Sequence, residues 1–395
     1  MALPTTLRSV MLVGPLLAFT IAVFILPLGL MLTQAVSTPE FSRALPQSAA
    51  VLRAAKGSGI PDAQSVATLR DELAAAYGSP ALGALALAIN SDFPGARSVI
   101  LQTARRLASK PQGNLADALS ELEAINDAWA DPGFWRVLRN NAGAVTDRYL
   151  LRAVDLERDA NGAITSVGDD HAIYRAAAVR TFTISLLVTL LSLFLGYPYA
   201  FLLANTSGRA NTILLTCLML PFWVSLLVRT TAWIVLLQNE GLINKTLISM
   251  GLIHNPLALI YNRTGVIIAM AHVLMPFMVL PLISVMRSVK QDLLRASAAC
   301  GARPMQTFFR VYWKLTLPGI AAGSVLVFIQ AVGYYITPAL IGGPDDQMLG
   351  YFVALHTNET LNWSMAAAIA SILLLAILAL YVVFNKIAPI EQGLT

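Results

Sequence analysis

Six runs of this chain are too long and too apolar for the interior of an ordinary soluble domain. They fall at about 10–35, 179–204, 211–238, 264–286, 318–342 and 363–387. A bilayer core about 30 Å thick is spanned by roughly 20 mostly apolar residues in a helix. Backbone groups in lipid must find partners within their own segment, so each run is expected to be helical. The second run, TFTISLLVTLLSLFLGYPYAFLLA, contains 13 Leu, Ile, Val or Phe. At about −0.3 to −0.6 kcal/mol each, these favour insertion by several kcal/mol. The first run follows Arg8 and competes with a signal-peptide reading. It exceeds the usual 7–15 apolar residues and contains Pro15 and Pro27, which favours a retained helix.

Charge is unevenly placed. Of 22 acidic residues, 16 lie between Val36 and Ala176, together with 14 of the 27 basic ones. Only 12% of the whole chain is charged, against about 25% in soluble domains. The expected organisation is therefore a helix over 1–35 and a soluble, mostly helical insert over 36–176. A five-helix membrane core over 177–387 and a tail over 388–395 follow. Within the insert, LADALSELEAINDAW (115–129) repeats apolar residues at helical spacing behind Asn114, a candidate N-cap. SVILQTARRLASK (98–110) does the same, and DANGAITSVGDD (159–170) reads as a loop or hairpin.

Short loops set the expected orientation. Arg8 and Arg209 stand without acids beside them, and 287–317 carries six Lys or Arg against Asp292 alone. The 343–362 loop has Asp345, Asp346 and Glu359 and no Lys or Arg. Both termini and 287–317 are expected in the cytoplasm, with 36–176 and 239–263 outside.

Several chemistries find no support. Cys217 and Cys300 are too few for a disulfide framework, and no His/Cys/Asp/Glu metal spacing occurs. Neither H-E-x-x-H nor G-x-x-x-x-G-K-[ST] is present. No catalytic residue, metal or cofactor is expected, and no nucleic-acid partner. If ATP is used, another chain must bind it.

The 295–320 stretch, RASAACGARPMQTFFRVYWKLTLPGI, is basic and lies between two of the greasiest runs. Its start suits a short helix with Asp292 near the positive end and Gly301 placed to stop it. Pro304 favours the first turn of a second helix, on which Met305, Phe308, Tyr312 and Leu315 share a face. A small-residue surface on the first helix lets a partner backbone approach closely.

This segment resembles the cytoplasmic coupling loop of permease subunits of binding-protein-dependent ABC importers. That pattern has E-A-A, three residues, Gly, a later apolar residue and a Pro-Gly end. Arg295-Ala296-Ser297 stands at the triplet, followed by Ala298, Gly301, Ala302, Val311 and Pro318-Gly319-Ile320. Arg295 replaces the glutamate, and Lys314 a mid-loop proline. Residues 172–387, and less closely 1–35, are similar to spermidine/putrescine-type (PotB-like) permeases in the order and spacing of their motifs. The insert lies outside the likeness. The resemblance implies an all-α integral membrane protein with the six transmembrane helices of the type I ABC importer permease fold, carrying a mostly helical insert in its first outer loop. It further implies alternating access in a bacterial inner membrane, with a second permease subunit, a cytoplasmic ABC ATPase dimer and a periplasmic solute-binding protein as partners.

Polar residues inside the runs are costly and mark candidate path positions. Arg229 can snorkel to the outer face or line the path. His272, four residues before Pro276, suits a helix-packing hydrogen bond first and the path second. Trp233, Gln330, Tyr334 and Thr337 complete the candidates. Gly323, Val327, Gln330, Tyr334 and Thr337 share a face by spacing, and Gly319-Ile-Ala-Ala-Gly323 suits close helix contact. No Asp or Glu lies in any of the six runs. A polyamine-like or opine-like solute is the expected cargo. A secondary transporter would need buried carboxylates that the runs lack, and a membrane-anchored enzyme would need one helix, not six.

Overall fold

In the computed structural model, residues 5–37, 39–55, 59–90, 92–109, 114–143, 145–158, 163–168 and 172–387 are described. The 388–395 tail lies outside them. The chain forms two compact units, 1–171 with 360–371, and 172–359 with 372–395.

The first unit begins with α1 (Thr5–Thr20) and α2 (Leu26–Ala35), joined by a π-helical turn at Ile21–Ile25. Within this apolar stretch Val13–Ala35 is long enough to cross a membrane, and none of its most apolar window is buried. The insert follows as α3 (Pro39–Ala44), α4 (Pro46–Ala54), α5 (Ala63–Ala75), α6 (Pro80–Asn90), α7 (Ala96–Ala108), α8 (Ala118–Glu123), α9 (Pro132–Ala142) and α10 (Arg148–Arg152). Strands β1 (Leu156–Arg158) and β2 (Ile164–Ser166) then pair antiparallel as a hairpin. The core is aromatic: Trp129 meets Phe134 edge-on at 5.0 Å and Trp135 at 5.4 Å. Both indole N–H groups find acceptors, Trp129 on Thr103 Oγ1 at 3.0 Å and Trp135 on the Trp129 carbonyl at 2.7 Å. Glu72 accepts from the N–H groups of Gln47 and Ser48, supplying negative charge to the start of α4. The start of the insert is tied to the segment after α9 by a bridge between Ser37 and Val145.

The expected helix over 115–129 is broken in three. A 3-10 turn at Leu115–Asp117 precedes α8, and another at Asp127–Ala130 follows it. Asn114 makes no side-chain cap, whereas Asn126 caps the second turn by accepting from Ala128 N at 3.0 Å. A local Asn–backbone bond outcompetes continuation of the helix. The apolar face survives the break only in part, since Leu122 and Trp129 are buried while Leu115 is 58% exposed.

The second unit holds α11 (Tyr174–Asn205), α12 (Gly208–Trp223), α13 (Leu226–Leu237), α14 (Leu242–Ser249), α15 (Arg263–Ser288), α16 (Gln291–Ala299), α17 (Pro304–Thr307), α18 (Trp313–Val332), α19 (Ile336–Ile341) and α20 (Leu349–Asn358). Helix α21 (Trp363–Ile387) begins in the first unit and ends in the second. Helices α11, α15 and α18 pack together with α15 most enclosed, 61% of its most apolar window being buried. Small residues permit this closeness. A Cβ added at Gly323 would stand 2.9 Å from the Met278 carbonyl, and one at Gly319 3.0 Å from Val285 Cβ. On the other side of α15, Gly196 sits against the same Met278 side chain.

Two expected straight spans are interrupted. The 211–238 run is α12 and α13, bent by 105° between Gly208–Trp223 and Leu226–Ser249. The 318–342 run ends as a regular helix at Val332 and resumes as α19. Among the described residues five helices are thus long and apolar enough to span, or six if the bent pair counts as one.

Candidate functional site

The bend has a readable chemistry. Pro221 lies in the last turn of α12, and Val224 and Ser225 adopt extended backbone. Ser225 Oγ accepts from Val228 N, capping the start of α13. The last carbonyls of α12 would otherwise be orphaned in an apolar medium. Arg229 supplies the donors: its Nη2 bonds the Val224 carbonyl at 2.7 Å and also the Pro221 carbonyl. A cation at a helix C-terminus is favoured by the helix dipole as well. Its Nε is buried with no partner among the described residues. Arg229 therefore does not stand free, but clamps the break.

One turn on, Trp233 Nε1 donates to His272 Nδ1 at 3.2 Å, with the rings edge-to-face. Accepting at Nδ1 leaves the ring proton on Nε2. This is the helix-packing bond expected of His272. Thr230 donates to the Leu226 carbonyl and meets Thr337 Oγ1 at 3.4 Å, both threonines being buried. Tyr334 sits in the interruption after α18, and Arg229 is within electrostatic reach of both it and His272. The structure thus gathers Arg229, Trp233, His272, Tyr334 and Thr337 around two helix interruptions. Gln330 stands apart, exposed and without a hydrogen bond among the described residues. The single five-residue face fails because α18 stops at Val332.

The 287–317 segment is built as an elbow. Helix α16 has Asp292 in its first turn and closes with a Schellman motif. In it Gly301 (φ +82°) bonds back to Ala298 and Ala302 to Ser297. The left-handed φ explains the glycine. Pro304 opens α17, and Gln306 reaches back to Arg303 N at 3.0 Å. Ser297 Oγ meets Thr307 Oγ1 at 3.0 Å, stapling the two arms. On α16, Leu294 and Ser297 face inward, while Ala296, Ala298 and Ala299 are exposed. Arg295 lies 3.7 Å from Asp292, an exposed pair that adds little stability.

The second arm is not a separate helix. Residues Pro304–Val332 run on as one span through a π-helical turn at Phe308–Tyr312. Pro318-Gly319 accordingly sits inside a helix rather than ending a loop, with Gly319 buried against Val285. Tyr312 is buried and Phe308 half-buried, but Met305 is exposed. The extra residue of the π turn rotates the two halves of that expected face apart. Cys217 and Cys300 are both free and exposed. No group of His, Cys, Asp or Glu that could hold a metal occurs among the described residues.

Residues 173–390 match the model of the binding-protein-dependent transport system inner membrane component family. The chain belongs to this family. It is a multi-pass inner-membrane permease subunit of an ABC importer, with a transport role rather than a catalytic one. The spermidine/putrescine transport system permease protein PotB of Salmonella typhimurium (strain LT2) is 34% identical over 196 residues, covering 50% of this chain and 68% of that one. The inner membrane ABC transporter permease protein YdcU of Escherichia coli (strain K12) is 34% identical over 222 residues, covering 53% and 70%. A solved bacterial ABC transporter involved in the import of the acidic polysaccharide alginate aligns with a TM-score of 0.45 at 18% identity, covering 56% and 84%. Residues 36–172 lie outside the family match.

Sequence reasoning passes over Ser225, whose cap defines the bend, and the staple of Ser297 with Thr307. Pro221 followed by a serine and then an arginine at 229 is the available signal for the break.

Proposed function

We propose that this permease subunit pairs with a second permease and two cytoplasmic ATPase subunits to import a small organic amine of the polyamine class, by alternating access. On this reading both termini and the 287–317 elbow are cytoplasmic, the insert is outside, and a periplasmic binding protein delivers the solute. Arg295 to Ala298, Gly301 and Ala302 form the surface on which an ATPase seats, and Pro318-Gly319 anchors that surface in the bundle. Arg229 holds the bent helix beside the path, which Trp233, His272, Gln330, Tyr334 and Thr337 line. Aromatic faces suit an organic cation where the spans contain no carboxylate. PotB relatives, whose names carry spermidine and putrescine, support the cargo class.

The observation that carries this reading is the elbow: α16 presents exposed alanines on a helix locked by the Gly301 motif and the Ser297–Thr307 staple. A force from a docked motor would reach α18 without being absorbed. The test is thiol labelling of Ala298→Cys in a Cys217→Ser/Cys300→Ser background, with uptake of labelled putrescine and spermidine in the same cells. Labelling from the cytoplasmic side only, and ATP-dependent uptake lost on α16 disruption, are expected. Labelling from outside would reverse the topology, and undiminished uptake by a Gln330→Ala/Tyr334→Ala variant would remove those residues from the path.

A further inference from the structure

The insert contains a cavity for which the transport reading has no use. It lies between α5, α7 and the 117–125 stretch, with a volume of about 370 Å³. That is at the small end of the range typical of small-molecule pockets, ~300–1,000 Å³. Arg70, Asp71, Arg106, Asp117 and Glu121 contribute its charges, and Leu107 and Ile125 apolar wall.

Arg70 is the unusual member, because it is only 4% exposed. Its Nε donates to Asp71 at 2.8 Å, and its Nη1 to Glu121 and the Asn114 carbonyl, each at 3.2 Å. A guanidinium has five N–H donors. Three are engaged, and the two on Nη2 have no partner among the described residues. The Asp71 hydrogen bond holds the group charged against the opposing effect of burial. On the rim, Arg106 and Asp117 are exposed and likewise make no side-chain bond among the described residues.

We infer that this pocket binds a small zwitterion whose ammonium and carboxylate are joined by a short aliphatic spine. Arg106 and the open Nη2 donors of Arg70 take the carboxylate. Asp117 takes the ammonium. Leu107 and Ile125 cover the methylenes. A dicarboxylate meets three acids, and a diamine leaves both guanidinium positions unmatched. The inference is independent of the path and of the cargo.

The test is calorimetric titration of the full chain in lipid nanodiscs with three probes of equal length: 5-aminopentanoate, 1,5-diaminopentane and glutarate. Saturable binding of 5-aminopentanoate is expected, tighter than either of the others. Arg106→Gln and Asp117→Asn should each weaken it by roughly tenfold, the equivalent of one charge-assisted hydrogen bond. Both sites are exposed, and an unchanged melting curve verifies folding. Absence of saturable 5-aminopentanoate binding, a diamine or dicarboxylate bound as tightly and weakened by the same rim variants, or indifference of 5-aminopentanoate binding to both rim variants would each overturn the assignment.

Discussion

Phe134 and Phe194 are the same residue under opposite rules. Phe134 lies in the insert with 0% exposure, ringed by Phe93 and Trp129. Phe194, in the membrane body, is 75% exposed. In the insert, apolar side chains are gathered inward because water drives them there. In the membrane body many large ones point out, and where α11, α15 and α18 meet, Gly196, Gly319 and Gly323 let the helices approach. Burial is thus a guide to stability in the first unit, and closeness of backbones in the second.

Truncating the two phenylalanines is the most severe challenge to that contrast. Phe134→Ala should destabilise the insert by about 3–5 kcal/mol. Phe194→Ala should change insertion by only a few tenths, roughly the −0.3 to −0.6 kcal/mol scale of an apolar residue in a span. Urea-dependent proteolysis of the insert, and membrane yield of the two variants, measure them. Equal losses would abolish the distinction.

A pair of glycines separates the two units further. Gly323→Val presses against the Met278 backbone and should cost about 1–3 kcal/mol or more, read as a lowered melting temperature in detergent. Gly83, inside α6 of the insert, has nothing within 4 Å of the position a Cβ would take. Gly83→Ala should stabilise by about 0.5–1 kcal/mol.

Arg229→Met should strand the carbonyls at the end of α12, at about 1–3 kcal/mol. Spin labels placed on α12 and α14 should then report a broadened distance distribution. A sharp, unchanged distance would show that Pro221 and Ser225 suffice to hold the bend.

The smallest effect concerns pH. His356, on α20, meets Tyr174 Oη at 2.9 Å, and burial pushes its imidazole below the ordinary range. Native protein then binds fewer protons than unfolded chain just below the usual value of about 6.5. Stability contributed by this site is complete above that pH and falls on acidification through the native value. His356→Gln should flatten the dependence of the melting temperature on pH below about 6.5.

Hydropathy makes the spans legible, and spacing makes Gly301 legible, because a left-handed helix stop leaves a glycine at a fixed offset. The bend at Val224–Ser225 is hidden because apolar residues continue through it, and hydropathy is blind to backbone direction. Arg229 looks like a stray charge because its partners are carbonyls, which carry no letter in a sequence. Gln330 and Tyr334 share one helical face only if a helix continues past Val332, and it does not. In the insert, Leu122 and Trp129 are both buried although extended backbone at Asn126 breaks the helix between them, so packing rather than one continuous helical face brings them inward.

Met278 is gripped between Gly196 and Gly323, with no slack on either side. Sliding α11 or α18 along α15 would drive a thioether against a neighbouring backbone, so close packing at Met278 resists that slide. The kinked 208–249 arm packs less extensively against α15 and offers less resistance to movement.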